Sequence, residues 1–306
     1  MELCAQCPRQ CQVNRQRQVG FCGMPEQIWV ARVAPHFWEE PCISGKNGSG
    51  AVFLTGCNLH CVYCQNREIS QERYGKAMSP SELIDKIAEL AKEGVHNLNL
   101  VTGAHYLSAL LPVLRQVRET IGLPVVWNSS GYESVESLKR LAGLVDVFLP
   151  DFKYASPELS ARYSGAPDYP GVAREALACM VEMAGPCRFD ESGMLVSGVL
   201  VRHLVLPGCR KDSFGVLDLI KETVGVGDVR LSLLSQYVPD YLPKGEYPEL
   251  NRRVTTFEYE SVVGYANRLG FSGYRQQKDS ASAEYRPDFI REDRFRPEQS
   301  GSEENG

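Results

Sequence analysis

The sequence predicts an α/β protein, a partial (β/α)6 TIM-like barrel with a small Cys-rich N-terminal segment. From Ala51 onward, short β-branched runs alternate with amphipathic helical segments. Each apolar run is followed by a polar or glycine-bearing loop, as expected where a strand of a parallel sheet is followed by a helix. The unusual polar residues follow the predicted strand ends. In parallel α/β folds the βα loops gather there and form the ligand site.

Six apolar runs predict the barrel strands. The helix after the first of them has clear boundary signals, with Ser79 as N-cap, Pro80 in the first turn, Glu82 three residues after the cap and Gly94 as terminator. The strand sequences are AVFLTG, NLNLVTG, PVVWNSSG, VDVFLPDFK, GVLVRHLVLPG and VRLSLLSQYVP.

Composition divides the chain into three parts. Residues 1–45 form the Cys-rich N-terminal segment, and residues 46–276 form the barrel. Residues 277–306 form a polar tail that is predicted to be disordered, because it is rich in charged residues, Ser and Gly and poor in apolar ones.

Charge and hydropathy exclude two kinds of partner. The chain has 306 residues and a formal net charge of -5, so it has no broad basic field for nucleic acid or anionic lipid. The N-terminus lacks the apolar stretch of a signal peptide. The apolar runs are all far shorter than the roughly 20 residues that span a bilayer. The sequence therefore predicts a cytoplasmic protein that binds neither nucleic acid nor membrane.

The cysteines are clustered in a way that favours metal ligation. The chain has 11 cysteines, most of them in its first quarter, and in a reducing compartment such clustering favours metals over disulfides. Cys57, Cys61 and Cys64 have the spacing C-x3-C-x2-C. Three thiolates can hold three irons of a [4Fe-4S] cluster and leave the fourth iron open. The alternative is a zinc site completed by His60 or a distant group.

A second set, Cys4, Cys7, Cys11 and Cys22, lies in the N-terminal segment with the spacing C-x2-C-x3-C-x10-C. Four ligands could close a tetrahedral zinc site or hold a second [4Fe-4S] cluster, and the sequence leaves both open. The remaining cysteines have wide spacing and are predicted to be ordinary or buried structural thiols. They are Cys42, Cys179, Cys187 and Cys209.

The three-cysteine motif, with Tyr63 directly before its last cysteine, resembles the signature of the radical SAM superfamily. Other stretches resemble the pyruvate formate-lyase activating enzyme-related branch of that superfamily. With the Cys-rich head and EEPCISG, the likeness is closest to activating-enzyme homologues of unsettled substrate. The stretches are CPRQCQVNR, GFCG, APHFWEEPCISG, GSGAVFLTGCNLHCVYCQNREIS, NLNLVTGAHYL, VDVFLPDFKY, VRHLVLPG and SQYVP.

The resemblance implies that S-adenosylmethionine binds the open iron through its amino and carboxylate groups. Its reductive cleavage would yield a 5′-deoxyadenosyl radical that abstracts a hydrogen atom from a substrate. The implied partners are a reduced flavodoxin- or ferredoxin-type electron donor and, as protein substrate, a glycyl-radical enzyme. The alternatives are another radical modification of a protein or small molecule, or a non-catalytic iron–sulfur or zinc protein for electron transfer or storage.

The resemblance also implies cofactor contacts at the strand ends. Activating enzymes carry Gly-Gly-Glu after strand two, where this chain has Thr102 to His105. The threonine hydroxyl and backbone carbonyls would replace the glutamate, or the cofactor would sit differently. Asp151 and Lys153 match the family's Asp-x-Lys and share one strand face. The predicted cofactor contacts are Tyr63, Thr102, Asn128, Ser130, Asp151, Lys153 and Arg202.

Two weaker signals have ordinary interpretations. HFWEE, from His36 to Glu40, contains one histidine and two carboxylates in a predicted loop, which is typical of a solvated edge. His203 lies among Val and Leu on a predicted strand, so the sequence predicts a core histidine whose ring nitrogens are hydrogen-bonded.

Overall fold

The computed structural model describes residues 3–242, 245–276, 287, 289 and 293–296. The strands in this part of the chain are β1 (Trp29–His36), β2 (Ser49–Leu54), β3 (Lys76–Ala77), β4 (Leu98–Val101), β5 (Val125–Ser129), β6 (Val147–Pro150), β7 (Arg188–Phe189), β8 (Leu195–Leu204), β9 (Arg230–Leu234) and β10 (Gly273–Arg275). The α-helices are α1 (Pro41–Ser44), α2 (Arg67–Ser70), α3 (Pro80–Lys92), α4 (Leu107–Thr120), α5 (Val135–Lys139), α6 (Pro157–Ser164), α7 (Tyr169–Ala184), α8 (Arg210–Val224) and α9 (Thr256–Leu269). None of these helices is both long and apolar enough to cross a membrane.

One sheet contains the strands in the order β10, β9, β8, β6, β5, β4, β2, β1, β3, and β7 pairs with β8. From β2 to β10 neighbouring strands of this order are parallel, whereas β1 is antiparallel to both β2 and β3. The predicted strands are confirmed as β2, β4, β5, β6, β8 and β9, and the α/β class with a parallel barrel-type sheet is confirmed with them. The structure adds β1, β3, β7 and β10.

Helix α3 begins and ends as its sequence predicts. The Ser79 hydroxyl accepts a hydrogen bond from the Glu82 amide, and the Glu82 carboxylate accepts one from the Ser79 amide at 2.8 Å. Such a capping box satisfies two amides that the helix itself leaves unpaired, and the N-cap contributes ~1 kcal/mol. Gly94 follows the helix at a φ of 82°, which glycine adopts without strain. The buried face consists of Leu83, Ile87 and Leu90.

The segment after β1 forms the floor of the barrel. Because β1 is antiparallel to β2, its last residue, His36, pairs with Ser49 at the start of β2. The chain then enters helix α1, whose Cys42 and Ile43 pack against apolar side chains of β5, β6 and β8. The solvated-edge interpretation of HFWEE is therefore wrong for the two carboxylates. The side chain of Glu39 is 9% exposed and Glu40 is 7% exposed, because the chain crosses beneath the parallel strands.

A few residues of the predicted tail lie against the barrel. Phe289 is buried beside Phe53 of β2, with ring centroids 5.5 Å apart. Arg294 forms an antiparallel bridge with Tyr74, and the Phe295 ring lies 5.3 Å from that of Trp29. The rest of 277–306, with its predicted disorder, lies outside the described residues.

Candidate active site

A cavity of about 390 Å³ lies inside the barrel, at the carboxyl ends of the strands and extending to the floor. This volume is in the range of small-molecule sites. The three cysteines of the loop after β2 line it, and so does every predicted cofactor contact. The structure thus brings together Cys57, Cys61, Cys64, Tyr63, Thr102, Asn128, Ser130, Asp151, Lys153 and Arg202.

The loop that carries the three cysteines is held tightly at its start. Gly56 has a φ of 87°, and a Cβ there would lie 2.3 Å from the Met24 side chain. A glycine is therefore required directly before Cys57. Inside the loop, Leu59 is buried, and the Asn58 amide group donates to the Tyr132 carbonyl at 2.8 Å. These contacts fix the backbone from which the sulfurs project.

Each of the three sulfurs accepts a hydrogen bond from the protein. The donors are the Leu59 amide to Cys57 at 3.3 Å, the Ser164 hydroxyl to Cys61 at 3.1 Å and the Ser70 hydroxyl to Cys64 at 3.3 Å. Such donors favour the thiolate form that ligates iron.

Burial alone acts in the opposite direction on the thiols. Burial, with the neighbouring Cys61 acting in the same direction, raises the pKa of Cys57 to about 12. A thiol in this position therefore needs a cation to ionise near neutral pH. The donor set of three hydrogen-bonded, mutually repelling sulfurs fits a cationic iron cluster.

In the described ranges, no group of three or more His, Cys, Asp or Glu side chains is arranged to hold a metal ion. This applies to both cysteine sets. In the structure it is the burial and hydrogen bonding of the three sulfurs, rather than the distances between them, that fit iron.

A chain of ion pairs crosses the cavity wall from the floor upward. Arg202 of β8 donates to Glu39 Oε2 and to Asp151 Oδ1, both at 2.9 Å, and to Asn128 Oδ1 at 2.6 Å. Lys153 donates to Asp151 Oδ2 at 2.7 Å. Burial would raise the pKa of Asp151, but Arg202 and Lys153 hold it below its ordinary value. The two cations and two carboxylates balance each other in a site where unpaired charge would be costly.

Sequence analysis missed Glu39 and Glu40 as cavity residues. Glu39 also accepts from the amide groups of Asn99 and Asn128, at 3.3 and 3.1 Å. Glu40 has no hydrogen-bond partner for its Oε2 among the described residues, and burial raises its pKa. Both carboxylates lie directly before helix α1, with Glu40 as its N-cap.

Only the first residue of the Thr102 to His105 stretch lines the cavity. His105 is buried behind the cysteine loop, with its Nε2 2.8 Å from the Thr55 carbonyl oxygen. Burial lowers the pKa of His105 to about 3, with Arg15 acting in the same direction, so its ring is neutral. His105 therefore supports the loop that carries the cysteines, and Thr102 is left as the cavity residue at the end of β4.

The four cysteines of the N-terminal segment approach one another. All of them are free thiols. Burial, with the proximity of Cys22, Cys11 and Cys4 acting in the same direction, raises the pKa of Cys7 to about 11. The Gln10 amide donates to the Cys7 carbonyl at 3.0 Å, which closes a turn after Cys7. The Gln12 amide donates to the Cys4 carbonyl at 3.0 Å, which brings the two ends of this stretch together.

The N-terminal segment packs directly on the loop of the first cysteine set. Arg9 Nε donates to the Asn58 carbonyl at 3.0 Å, and the guanidinium lies 3.8 Å from the centroid of the Phe21 ring. Phe21 in turn stacks on His60, with centroids 4.7 Å apart. The segment that carries the second cysteine set therefore contacts the loop that carries the first.

The ordinary interpretations of the other residues agree with the structure. His203 is buried, with Nδ1 2.7 Å from the Phe152 carbonyl oxygen and Nε2 2.9 Å from the Ser213 hydroxyl. Cys42 and Cys179 are buried, whereas Cys187 and Cys209 are half-buried, so the expected burial is met by Cys179 but not fully by these two.

The fold and site define a parallel α/β barrel whose cavity is lined by a three-cysteine loop. The model of the radical SAM superfamily matches residues 51–183. The chain belongs to the radical SAM superfamily. Membership implies a [4Fe-4S] cluster and S-adenosylmethionine as cofactors.

Two curated relatives match different shares of this chain. An uncharacterized protein from Methanocaldococcus jannaschii is 32% identical over 278 residues, which is 87% of this chain and 74% of that protein. A putative glycyl-radical enzyme activating enzyme from Haemophilus influenzae is 28% identical over 116 residues, or 36% of this chain and 43% of its own length.

Among solved structures, SuiB from Streptococcus suis with bound S-adenosylmethionine has a TM-score of 0.52 and 12% identity. The match covers 74% of this chain and 50% of SuiB. SuiB with its precursor peptide SuiA gives the same TM-score at 11% identity, over 73% of this chain and 47% of SuiB. At such identity the likeness shows the fold alone, and this chain spans about half the length of SuiB.

Proposed function

We propose that Cys57, Cys61 and Cys64 hold the cluster, and that S-adenosylmethionine occupies the cavity beside them. The observation that carries this proposal is a set of only three hydrogen-bonded sulfurs lining a cavity that also holds charged and amide side chains. With both cofactors bound and one electron supplied, the site provides a 5′-deoxyadenosyl radical that removes a hydrogen atom from a substrate.

The polar residues of the cavity have roles that follow from charge. Lys153 and Arg202 are the cations beside the expected position of the cofactor carboxylate. Asn128 and Ser130, at the end of β5, offer neutral hydrogen-bonding groups to the same region. The remaining predicted contacts complete the set: the Thr102 hydroxyl and Asp151 accept from the ammonium, and Tyr63 lies beside Cys64 in the cavity wall.

The substrate that we propose is a glycyl-radical enzyme, from which the site removes a glycine Cα hydrogen. The name of the Haemophilus influenzae relative supports this. The sheet order also ends at β10 on one side and β3 on the other, so the described strands do not close into a complete barrel. An opening of this kind suits a peptide loop.

A specific observation favours a second candidate, another radical modification of a protein or small molecule. The acidic residue expected after β4 is replaced, and the residue in its place, His105, is turned away from the cavity. The site thus differs from that of activating enzymes where the cofactor ammonium would bind.

Deuterium transfer distinguishes the two candidates. Reconstituted enzyme, S-adenosylmethionine and dithionite are mixed anaerobically with a glycyl-radical enzyme from the same genome whose glycines are deuterated at Cα. We expect deuterium in 5′-deoxyadenosine and a glycyl-radical EPR signal, which is a doublet with unlabelled glycine and collapses to a near-singlet when the remaining Cα hydrogen is deuterium. Formation of unlabelled 5′-deoxyadenosine with no glycyl-radical signal from either substrate would reject the glycyl-radical proposal and favour the second candidate.

We also propose that Cys4, Cys7, Cys11 and Cys22 bind metal, as a second [4Fe-4S] cluster or as zinc. Their mutual proximity and their packing on the first cysteine loop support it. An iron cluster at this position would be suited to pass an electron inward from a reduced flavodoxin- or ferredoxin-type donor in the cytoplasm. Iron and zinc counts after removal of the first cysteine set distinguish the two metals.

A further inference from the structure

A line of buried hydroxyl groups ends at the sulfur of Cys61. The Ser164 hydroxyl, at the last residue of α6, lies 3.1 Å from Cys61 Sγ. The Tyr154 hydroxyl lies 2.7 Å from the Ser164 oxygen, and the Tyr63 hydroxyl lies 2.7 Å from the Tyr154 oxygen. All four side chains are buried, so the hydroxyls bond to one another rather than to water.

The direction of the hydrogen bonds follows from the chemistry of the Cys61 sulfur, at which the line ends. A thiolate bound to iron can only accept, so the single hydroxyl hydrogen of Ser164 is donated to Cys61. Ser164 must then accept from Tyr154, and Tyr154 must accept from Tyr63. Each hydroxyl has a single hydrogen and a neighbour in the line 2.7 Å away, so each tyrosine donates toward Ser164.

The same line connects the sulfur to two parts of the cavity wall. Tyr63 is the aromatic residue directly before Cys64. Tyr154 follows Lys153, whose ammonium is bonded to Asp151. The line thus joins the cysteine loop to the loop after β6. Both tyrosines also pack edge-on against each other, with ring centroids 6.5 Å apart, which holds the hydroxyls in place.

We propose that Tyr63, Tyr154 and Ser164 form a directed hydrogen-bond relay that raises the reduction potential of the cluster through Cys61, a role that rests on the proposed cluster site. Hydrogen bonds to cluster sulfurs stabilise the reduced, more negative state and so set the potential. Successive donors polarise one another, so each hydroxyl strengthens the bond to sulfur. The three residues are positioning residues, since they act through Cys61.

The sulfur of Cys64 provides an internal comparison, because the hydroxyl that donates to it does not belong to a longer line. Ser70 also donates to its sulfur, at 3.3 Å, but no further hydroxyl bonded to Ser70 extends that contact among the described residues. The relay therefore predicts that the two serine hydroxyls affect the reduction potential unequally. Removing the Ser164 hydroxyl should shift the potential more than removing that of Ser70.

The test is an EPR-monitored redox titration of the reconstituted full-length protein. The signal followed is the component that changes when S-adenosylmethionine is added, because only a cluster with an open iron responds. We expect Ser164→Ala to make the midpoint potential more negative than wild type. Tyr154→Phe should give a smaller shift in the same direction, and Tyr63→Phe the smallest.

Matched controls lie on the same helix and in the same aromatic cluster. Ser160→Ala removes a buried α6 hydroxyl that bonds the Pro157 carbonyl, and Tyr163→Phe removes one that bonds Glu249. Neither should move the potential. If Ser164→Ala fails to bind a cluster, the two Tyr→Phe variants, which keep every cysteine and Ser164, carry the test.

The outcomes distinguish failure of the relay from failure of the proposed cluster site. A wild-type protein with no signal that responds to S-adenosylmethionine rejects the cluster site. A responsive signal whose potential is the same in wild type, Tyr154→Phe and Ser164→Ala, or that shifts equally in Ser160→Ala, rejects the relay.

Discussion

Cys57→Ala is expected to abolish 5′-deoxyadenosine formation and to remove the iron that responds to S-adenosylmethionine. Loss of an outer partner of a metal ligand already costs ~10–100-fold, so loss of the ligand itself should cost ~100-fold or more. The backbone amide of Leu59, which donates to the Cys57 sulfur, would lose its partner as well. The measurement is chromatography of 5′-deoxyadenosine from reconstituted protein with dithionite, beside an iron count.

Cys179→Ala is the matched control for this variant. Cys179 is a buried thiol whose hydrogen-bond partner is the sulfur of Met183, so it lies outside the cavity wall. It should retain wild-type product formation. Equal activity in Cys57→Ala and Cys179→Ala would contradict the assignment of Cys57. Iron that remains in Cys57→Ala would belong to the N-terminal cysteine set.

Arg202→Leu is expected to lower the free energy of unfolding by about 3–5 kcal/mol, because it removes the cation paired with the buried Glu39 and one of the two cations paired with Asp151. Arg202 is 15% exposed and pairs with both Glu39 and Asp151. Asp151 retains Lys153, whereas the partners left to Glu39 among the described residues are the amide groups of Asn99 and Asn128. Urea unfolding of wild type and variant under identical anaerobic conditions measures the difference.

Arg118→Leu is the surface control for Arg202→Leu. It removes an ion pair to Asp146 in which the arginine is 43% exposed, and should cost less than about 1 kcal/mol. If Arg202→Leu cost no more than this, the charge chain would not stabilise the fold.

The cost of Arg202→Leu should depend on pH. In the wild type the pKa of Asp151 is held below its ordinary value, so the stabilisation is present above the unfolded pKa and is lost as pH falls through the folded one. In the variant Asp151 loses one of the two cations that lower its pKa, so its pKa should rise relative to the wild type. The difference between the two proteins should therefore be full at neutral pH and shrink as acid protonates Asp151.

The sequence predicted the parallel part of the fold because each strand carries its own signal. Continuous apolar runs followed by polar loops gave β2, β4, β5, β6, β8 and β9, and Ser79 with Glu82 gave the start of α3. These signals are local. Strands β3 and β7 have two residues each and β10 has three, so their existence depends on pairing with a neighbour rather than on their own pattern.

The floor of the barrel could not be predicted for a different reason. Glu39 and Glu40 are charged residues in a segment without periodicity, and such residues are exposed in most proteins. They are buried here because β1 runs antiparallel to β2 and directs the chain beneath the strands. Their partner Arg202 is more than 160 positions away in the sequence, which no local pattern reveals.

The part of the candidate site that was predictable is the part whose residue types recur at a fixed spacing in the sequence. Three cysteines at close spacing and polar strand ends identified residues that share one cavity. The hydroxyl line from Tyr63 through Tyr154 to Ser164 was not predictable. It joins three separate elements through a serine and a tyrosine with no motif, and only the packed structure shows that they meet at Cys61.

The most direct test of the account is the fate of S-adenosylmethionine on the wild-type protein. The chain is reconstituted anaerobically with iron and sulfide, reduced with dithionite, and mixed with the cofactor, after which 5′-deoxyadenosine and methionine are quantified. The account predicts both products in equal amounts and neither from Cys57→Ala. A protein that carries its full cluster and yields neither product would contradict the proposed radical chemistry.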